Sequence, residues 1–451
     1  MRNNLFRLAV LLMITAPFAA TAQQSQSPDR EFYLRPSYWR PYDQRGLNVF
    51  ETSKAPDTIP FEGVRVRFGA GFTQQYQNLK HSNKDATNWQ TTNKLYPLQS
   101  GFMTAQADLF TDVQLADGIR LNVTTYLSAR HHNEAWVKGG YIQFDKLPFK
   151  GQFWNNLMEL ATIKVGHMEI NYGDAHFRRP DGGHTLQSPF MEGNIMDAFA
   201  TEIGGEVYLQ KNGLFGMLGV TNGMIKGNVD SVDITKVADH SDKRAASVYL
   251  KGGFDKSLAE KLRLRVSASY YHNGNSNASG LTLYGGDRTG SNYQNVMEKV
   301  PYGTALPAST AVAFSGRFNP GFSKKVDALM LNAFLKAGGL EFFGTYEKAK
   351  GYSKTETEDR DANQFASELI YRFAKDRLYV GARYNTVTAR LAGFANDVTI
   401  DRVAGAAGWF LTRNVLLKGE YVEQNYKDFP KSDYRAGGKF NGWVIEAVVG
   451  F

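Results

Sequence analysis

The sequence predicts an all-β chain closed into a transmembrane antiparallel β-barrel of about sixteen strands. Three observations carry that prediction. Many segments alternate apolar and polar residues, their connections alternate between short and long, and the last alternating segment ends on Phe451. Alternation sends successive side chains to opposite faces of a strand, so one face can meet lipid while the other stays wet.

At the N-terminus, Arg2 and Arg7 precede a short apolar run over 8–14, and Ala20-Thr21-Ala22 offers a small-residue cleavage site. Residues 1–22 therefore read as a secretory signal peptide, too short to remain as a membrane helix. Residues 23–61 follow as an N-terminal periplasmic arm, and 62–451 form the barrel. Within the arm, 29–54 is rich in Arg, Tyr and Pro and lacks alternation. An ordered arm at the barrel mouth and a flexible leader both fit it.

Composition narrows the function classes. The chain has no cysteine, which excludes a disulfide framework and thiolate metal sites. Its formal charge of +8 is scattered rather than run together, so no nucleic-acid surface is expected. Hydropathy alone would describe a soluble secreted protein. That description leaves 44 Gly, 23 Tyr, 30 Phe and the repeated alternation without a cause.

The alternation is plain in Val64, Val66, Phe68, Ala70 and Phe72 against Arg65 and Arg67. It recurs in Met103, Ala105, Ala107 and Leu109, and resumes after Asp117-Gly118, a hairpin signal. Later, Leu262, Leu264 and Val266 oppose Arg263 and Arg265, and Val380 and Ala382 oppose Arg377 and Arg383. A charge facing mid-bilayer lipid costs ~2–4 kcal/mol, so these arginines must face the lumen.

Strands are expected near 62–76, 101–115, 119–131, 134–146, 159–171, 202–211, 213–224, 244–254, 261–273, 327–337, 340–349, 362–374, 377–390, 398–411, 414–426 and 438–451. Residues 309–318 also read as a strand, but including them alone breaks the alternation of short and long connections. They are assigned to a long loop, and eighteen strands is the alternative if 31–50 and 309–318 both pair.

Signal peptide, strand count, rim asymmetry and terminal aromatic together resemble the bacterial outer-membrane porins, over nearly the whole mature chain. The resemblance is architectural, to general-diffusion or phosphate-selective porins, although no dense ladder of lumen Lys and Arg stands here. It implies short periplasmic turns, long extracellular loops and an outer-membrane location in a Gram-negative bacterium. It also implies contact with outer-membrane lipid, insertion by the barrel-assembly machinery and a homotrimer, for which Ala70, Ala105, Ala107 and Ala268 offer small lipid-facing residues. The terminal strand, with Phe451, Val449 and Trp443, would be the assembly signal.

In such porins the loop in the position of 172–201 commonly folds inward as an eyelet. Here it carries Asp174, Arg178, Arg179, Asp181, Glu192 and Asp197, with Phe190, Met191, Ile195, Met196 and Phe199 to pack on a wall. An external solvated loop is the other reading. Candidate wall residues are Arg65, Arg67, Arg120, Arg130, Arg263, Arg265, Arg372, Arg377 and Arg383; lumen acids are Asp108, Asp112, Glu202, Glu206, Glu368 and Glu446. Their balance predicts a water-filled channel for small hydrophilic solutes and ions with a weak anion preference.

A channel specific for a sugar, organic acid or phosphate is the alternative, and a barrel enzyme a remote one. His131, His132 and Glu134 are the best candidates for a metal or acid/base group, but they lie at a tight loop tip where polar residues are expected anyway; His176 and His184, eight apart in a Gly-rich loop, have no recognised ligand spacing. No catalytic residue, metal or cofactor is expected.

Overall fold

The computed structural model describes residues 39–52, 54, 60–127, 135–179, 183–223, 244–276, 281, 283–286, 289–301, 303 and 314–451. The expected signal peptide, arm residues 23–38, Arg130, the tip 131–134, Asp181 and 309–313 lie outside them.

Seventeen strands are found among the described residues: β1 (Arg65–Ser82), β2 (Gly101–Phe102), β3 (Gln106–Ala116), β4 (Ile119–Tyr126), β5 (Trp136–Phe144), β6 (Ala161–Glu169), β7 (Thr201–Lys211), β8 (Leu214–Thr221), β9 (Ser247–Ala259), β10 (Leu262–Asn273), β11 (Lys325–Ala337), β12 (Leu340–Tyr352), β13 (Arg360–Phe373), β14 (Leu378–Ala389), β15 (Val398–Thr412), β16 (Val415–Lys427) and β17 (Lys439–Gly450). Sixteen of them close a ring in sequence order, all antiparallel, with β1 pairing both β3 and β17. The two-residue β2 stands outside it, pairing only with Tyr76 and Gln77 of β1.

The ring closes at the chain's end. Gly71 pairs with Gly450 and the register runs on to Ser82 with Lys439. Beyond β17, the Phe451 amide donates to the Ala70 carbonyl (3.0 Å) and the Ala70 amide to the Phe451 carbonyl (2.9 Å). Trp443 stacks on Tyr76 across the seam, with ring centroids 5.5 Å apart. Closure joins the two sheet edges, so β1 from Gly71 to Ser82 finds its ladder partners on β17.

The outer face carries the apolar set. Val66, Phe68, Leu218, Leu250, Leu331, Leu369, Val403 and Ile445 are all exposed. Such a belt is unfavourable against water and is covered by a bilayer. The inner face carries Arg265, Glu341, Gln364, Glu368, Arg402 and Glu446, all buried. No helix among the described residues is long and apolar enough to cross a membrane. One short helix, α1 (Gln152–Met158), lies in the β5–β6 connection.

Three expectations need correction. The segment 101–115 is not one strand. Its run breaks at 103–105, where the Gln74 side-chain amide takes the Met103 carbonyl (2.6 Å) in place of a ladder partner. The eighteen-strand alternative fails: the ring closes at sixteen, 39–50 holds no strand, and 314–318 is turn and irregular chain. Finally, Ala268 on β10 lies half a ring away from Ala70 and Ala107 on β1 and β3, so these residues do not share one face.

The lumen of one side is filled. Phe190, Met191, Ile195 and Met196 of the inner loop are buried in one apolar cluster with Ile370, Tyr379, Ala404, Leu416 and Val448 of the wall. Tyr293, Val296 and Met297 of the β10–β11 loop join that cluster.

Candidate functional site

The inner loop between β6 and β7 has no ladder, so its backbone amides need other partners. Wall side chains supply them. The Asn171 amide donates to Glu206 (2.9 Å), Asp174 to Asn332 (2.8 Å), Met191 to Glu420 (2.9 Å), Ile195 to Asn385 (2.6 Å) and Met196 to Gln364 (2.9 Å). Its carbonyls are taken by wall cations. Lys418 Nζ donates to Thr185 and Ser188 (both 3.0 Å), Arg402 to Gly193 (2.7 Å), and Arg383 to Glu192. These anchors stand on β7, β11 and β13–β16, so the loop is fastened to that half of the ring.

Buried ion pairs repeat the pattern. Asp174 accepts from Arg265 through both nitrogens (2.7 and 2.8 Å) and meets Lys251 at 2.7 Å. Glu192 pairs with Arg317 of the β10–β11 loop at 2.7 Å. Burial alone would raise the Glu192 carboxyl, but Arg317 and Arg402 outweigh it and hold it at about 2. Arg179 pairs with Asp197 (2.7 Å), Arg178 and Arg383 share Glu368 (3.2 and 2.5 Å), and Lys418 meets Glu446 (2.8 Å). Buried pairs add little net stability but fix geometry, because breaking one leaves an uncompensated charge.

The arm enters the same space. Tyr42 stacks on Phe110 of β3 (4.1 Å, 7°) and its hydroxyl donates to Asp112 (2.8 Å). Asn48 donates to Glu341 (2.7 Å) and accepts from Arg178. Glu51 ion-pairs with Lys251 (2.9 Å) and Arg265 (2.7 Å); these cations overcome burial and hold its carboxyl at about 2. Glycine makes room for arm and loop at the seam. A Cβ on Gly71 would collide with Gly183 and His184, and one on Gly450 with Tyr42.

The residues singled out from sequence are thus dispersed. Arg265 and Arg383 meet the inner loop, whereas Arg263 binds Asp255 (2.7 Å) and the Asn48 carbonyl (2.8 Å). Arg372 binds Glu341 (2.9 Å), and Arg67 lies over the Tyr42 ring (5.5 Å). Arg65 stays at the rim with exposed Glu62 (2.8 Å), away from any constriction. Arg377 is no wall residue: it is exposed at a turn, reaching only the Leu411 carbonyl (3.4 Å).

Lys251, Arg402 and Lys418 were not singled out, although the alternation that exposed Arg265 applies equally to their strands. Arg317 and Glu51 lie off any strand and left no such signal.

An open space lies against the opposite wall. A cavity of about 260 Å3 is bounded by β3–β6, by Arg40, Tyr42 and Thr52 of the arm, and by His176, Phe177, Arg179 and His184 of the loop. Arg120 and Asn122 of β4 and Tyr141 of β5 face it. The ladder skips one residue where Thr124 pairs with Gly139 but Thr125 with Val137. This bulge re-aims Lys138 into the lumen, where it meets Asp108 at 3.6 Å. Gly139 and Gly140 beside it also line the space.

His184 Nε2 donates to the Tyr42 carbonyl (2.6 Å), joining loop to arm. Burial lowers its pKa to about 4, helped by the cations Arg40, Lys138 and Lys418 and opposed by that carbonyl. The seated ring is therefore neutral at pH 7. Between pH 6.5 and about 4 a released imidazole takes a proton that the seated one refuses, so the contact weakens as pH falls. At pH 5 the loss is on the order of 2 kcal/mol. Limited proteolysis is expected to cut the arm faster at pH 5 than at pH 7.5, with His184→Gln abolishing the difference.

A closed ring of sixteen antiparallel strands, with an apolar outer belt and a loop anchored inside, is the porin architecture. Among solved structures, the chain is similar to a loop-deletion mutant of OmpT, an outer membrane protein of Vibrio cholerae. That match has 11% identity and a TM-score of 0.50, covering 86% of this chain and 100% of the other. It is also similar to an anion-selective porin from Comamonas acidovorans, at 12% identity and a TM-score of 0.52, with the same coverage. At such identities the likeness shows the fold alone. No family model and no curated protein matches the sequence.

Proposed function

We propose that this protein is an outer-membrane porin of a Gram-negative bacterium, passing small hydrophilic solutes and ions through the gap along β3–β6. The observation that carries the reading is the one-sided fastening of the inner loop. Many of its amides and carbonyls, and the charges of Asp174 and Arg178, are met by β7 and β9–β16, while the opposite wall keeps a polar cavity. Arg40, Arg120, Lys138 and Arg179 line that cavity against Asp112 and Glu169, which supports a weak anion preference. The anion-selective porin with which the chain shares its fold is consistent with that sign.

No catalysis is assigned to it. The insertion machinery would read the terminal strand that closes against β1, and lipid would cover the outer belt. A homotrimer would use the shallow outer face where Gly216 pairs with Gly252 and Gly252 with Ala268. Planar-bilayer recording tests the reading: discrete conductance steps and a reversal potential of anion-preferring sign in a salt gradient are expected. Absence of steps overturns the channel, and a cation-preferring sign overturns the preference.

A further inference from the structure

We propose that the outer face of β7–β11 carries a binding site for an anionic phospholipid of the periplasmic leaflet, with a tail in a groove and the phosphate at the rim below it. The site rests on the reading of the outer belt as bilayer-facing, and not on conductance.

A groove of about 630 Å3 runs over this face. Val207 of β7, Leu218 of β8, Leu250 of β9 and Leu329 of β11 line it, with Gly216 and Gly252 between them. The four apolar side chains are exposed. The hollow lies where two side chains are missing. A Cβ on Gly216 would meet nothing within 4 Å, and one on Gly252 only the Phe215 carbonyl at 3.8 Å. Within the apolar belt, hydrocarbon fills such a hollow, because water finds no polar partners there. The homotrimer contact proposed for this face would then close over a filled groove.

The chemistry changes where these strands reach the short-turn rim. Residues two apart face alike, so Lys211 points outward with Val207 and Leu209, and Lys256 with Leu250 and Gly252. The two lysines flank the Asn212-Gly213 turn, where a Cβ on Gly213 would stand 3.2 Å from the Lys256 Cβ. Lys261 follows in the β9–β10 turn. All three lysines are exposed, and none of their ammonium groups holds a hydrogen bond or ion pair.

The acids of this corner do not take them. Asp255 is committed to Arg263 and Arg265 (2.7 and 3.1 Å). Glu159 and Glu260 are exposed and close on no lysine. The free ammonium groups are donors for which a phosphodiester supplies acceptors.

Helix α1 sets the level of this rim in the membrane. Just beyond it, the Leu160 carbonyl accepts from the Gln210 amide of β7 (2.9 Å). Its Phe153, Trp154 and Leu157 are exposed, and the Phe153 and Trp154 rings meet at 5.1 Å. Exposed aromatics beside lysines belong at the headgroup level, where lipid phosphates lie. A free phosphate gains nothing from the groove, and a zwitterionic lipid brings its own cation to the lysines. An anionic phospholipid uses both parts.

The test is native mass spectrometry of the purified full-length barrel in detergent, titrated with phosphatidylglycerol, phosphatidylcholine or glycerol phosphate. Phosphatidylglycerol is expected to be retained at about tenfold lower concentration than phosphatidylcholine, and glycerol phosphate not at all. Lys211→Gln combined with Lys256→Gln should bring phosphatidylglycerol to the phosphatidylcholine level. Gly252→Leu, whose Cβ clears its neighbours, should weaken both lipids, and Lys350→Gln at the opposite rim should change neither.

Equal retention of the two lipids, or glycerol phosphate binding as tightly as phosphatidylglycerol, overturns the site. So does unchanged retention in folded barrels carrying both lysine substitutions. A trimer lost in Gly252→Leu with lipid retention intact gives the groove to a second copy and also overturns it. Conductance without phosphatidylglycerol retention removes the site and leaves the channel; retention by a barrel that passes no current does the reverse.

Discussion

Deleting residues 23–52 is expected to raise single-channel conductance at least about twofold, because the arm occupies cross-section that ions must otherwise share. The described part of this segment lies inside the barrel rather than beside it. Tyr42 covers Phe110 on β3, Asn48 reaches Glu341 on β12, and Glu51 reaches Lys251 and Arg265 on β9 and β10. These contacts bridge distant strands without belonging to any ladder, so their loss leaves the β1–β17 seam intact. Lys251 and Arg265 keep Asp174 after Glu51 is gone, and the barrel should still assemble. Bilayer recording of the truncated chain gives the result directly; unchanged conductance would show that the arm does not obstruct the passage.

The second large effect is expected from Glu192→Gln. This carboxylate is fully buried and ties two loops together, holding Arg317 and Asn292 of the β10–β11 loop to the inner loop, while the backbone carbonyl of the same residue receives Arg383 of β14. The substitution preserves shape but removes the negative charge that the Arg317 guanidinium meets at 2.7 Å. Removing one partner of such a buried pair costs on the order of 3–5 kcal/mol.

That cost falls on the seating of the loops rather than on the ring, whose ladders do not involve Glu192. The variant should assemble, show flickering conductance, and lose protease resistance in 171–200. A quiet, protease-resistant variant would contradict the anchoring described here. Arg65→Gln, which breaks only an exposed pair at the rim, should change neither readout.

The ring itself was legible because the bilayer imposes it. Lipid outside and polar groups inside force a period of two, and the parity of short turns assigned 309–318 to a loop and sent Glu446 to the lumen, where it meets Lys418. The inward-facing arginines were legible for the same reason, since Arg265 could not face lipid. Their partners were not. Arg265 lies 91 residues from Asp174 in sequence, and Arg178 lies 190 from Glu368. Nothing in local pattern chooses among several acids for each cation.

The cavity was hidden for a further reason. It depends on a bulge that rotates Lys138 inward, and a bulge breaks the very alternation used to read the strands. The arm was ambiguous because it has no period at all; its order comes from contacts such as Tyr42 on Phe110, which only the closed barrel supplies.

The central claim is that solutes pass along the β3–β6 wall and not beside β13–β16. Because the chain has no cysteine, a single introduced thiol reports its own surroundings. Thr124→Cys places one on the open wall, and Ala404→Cys places one beneath the inner loop. A charged, membrane-impermeant methanethiosulfonate reagent applied during bilayer recording should cut the current through Thr124→Cys channels and leave Ala404→Cys channels unaffected. Current lost at Ala404→Cys with none lost at Thr124→Cys would place the passage on the other side and contradict the account.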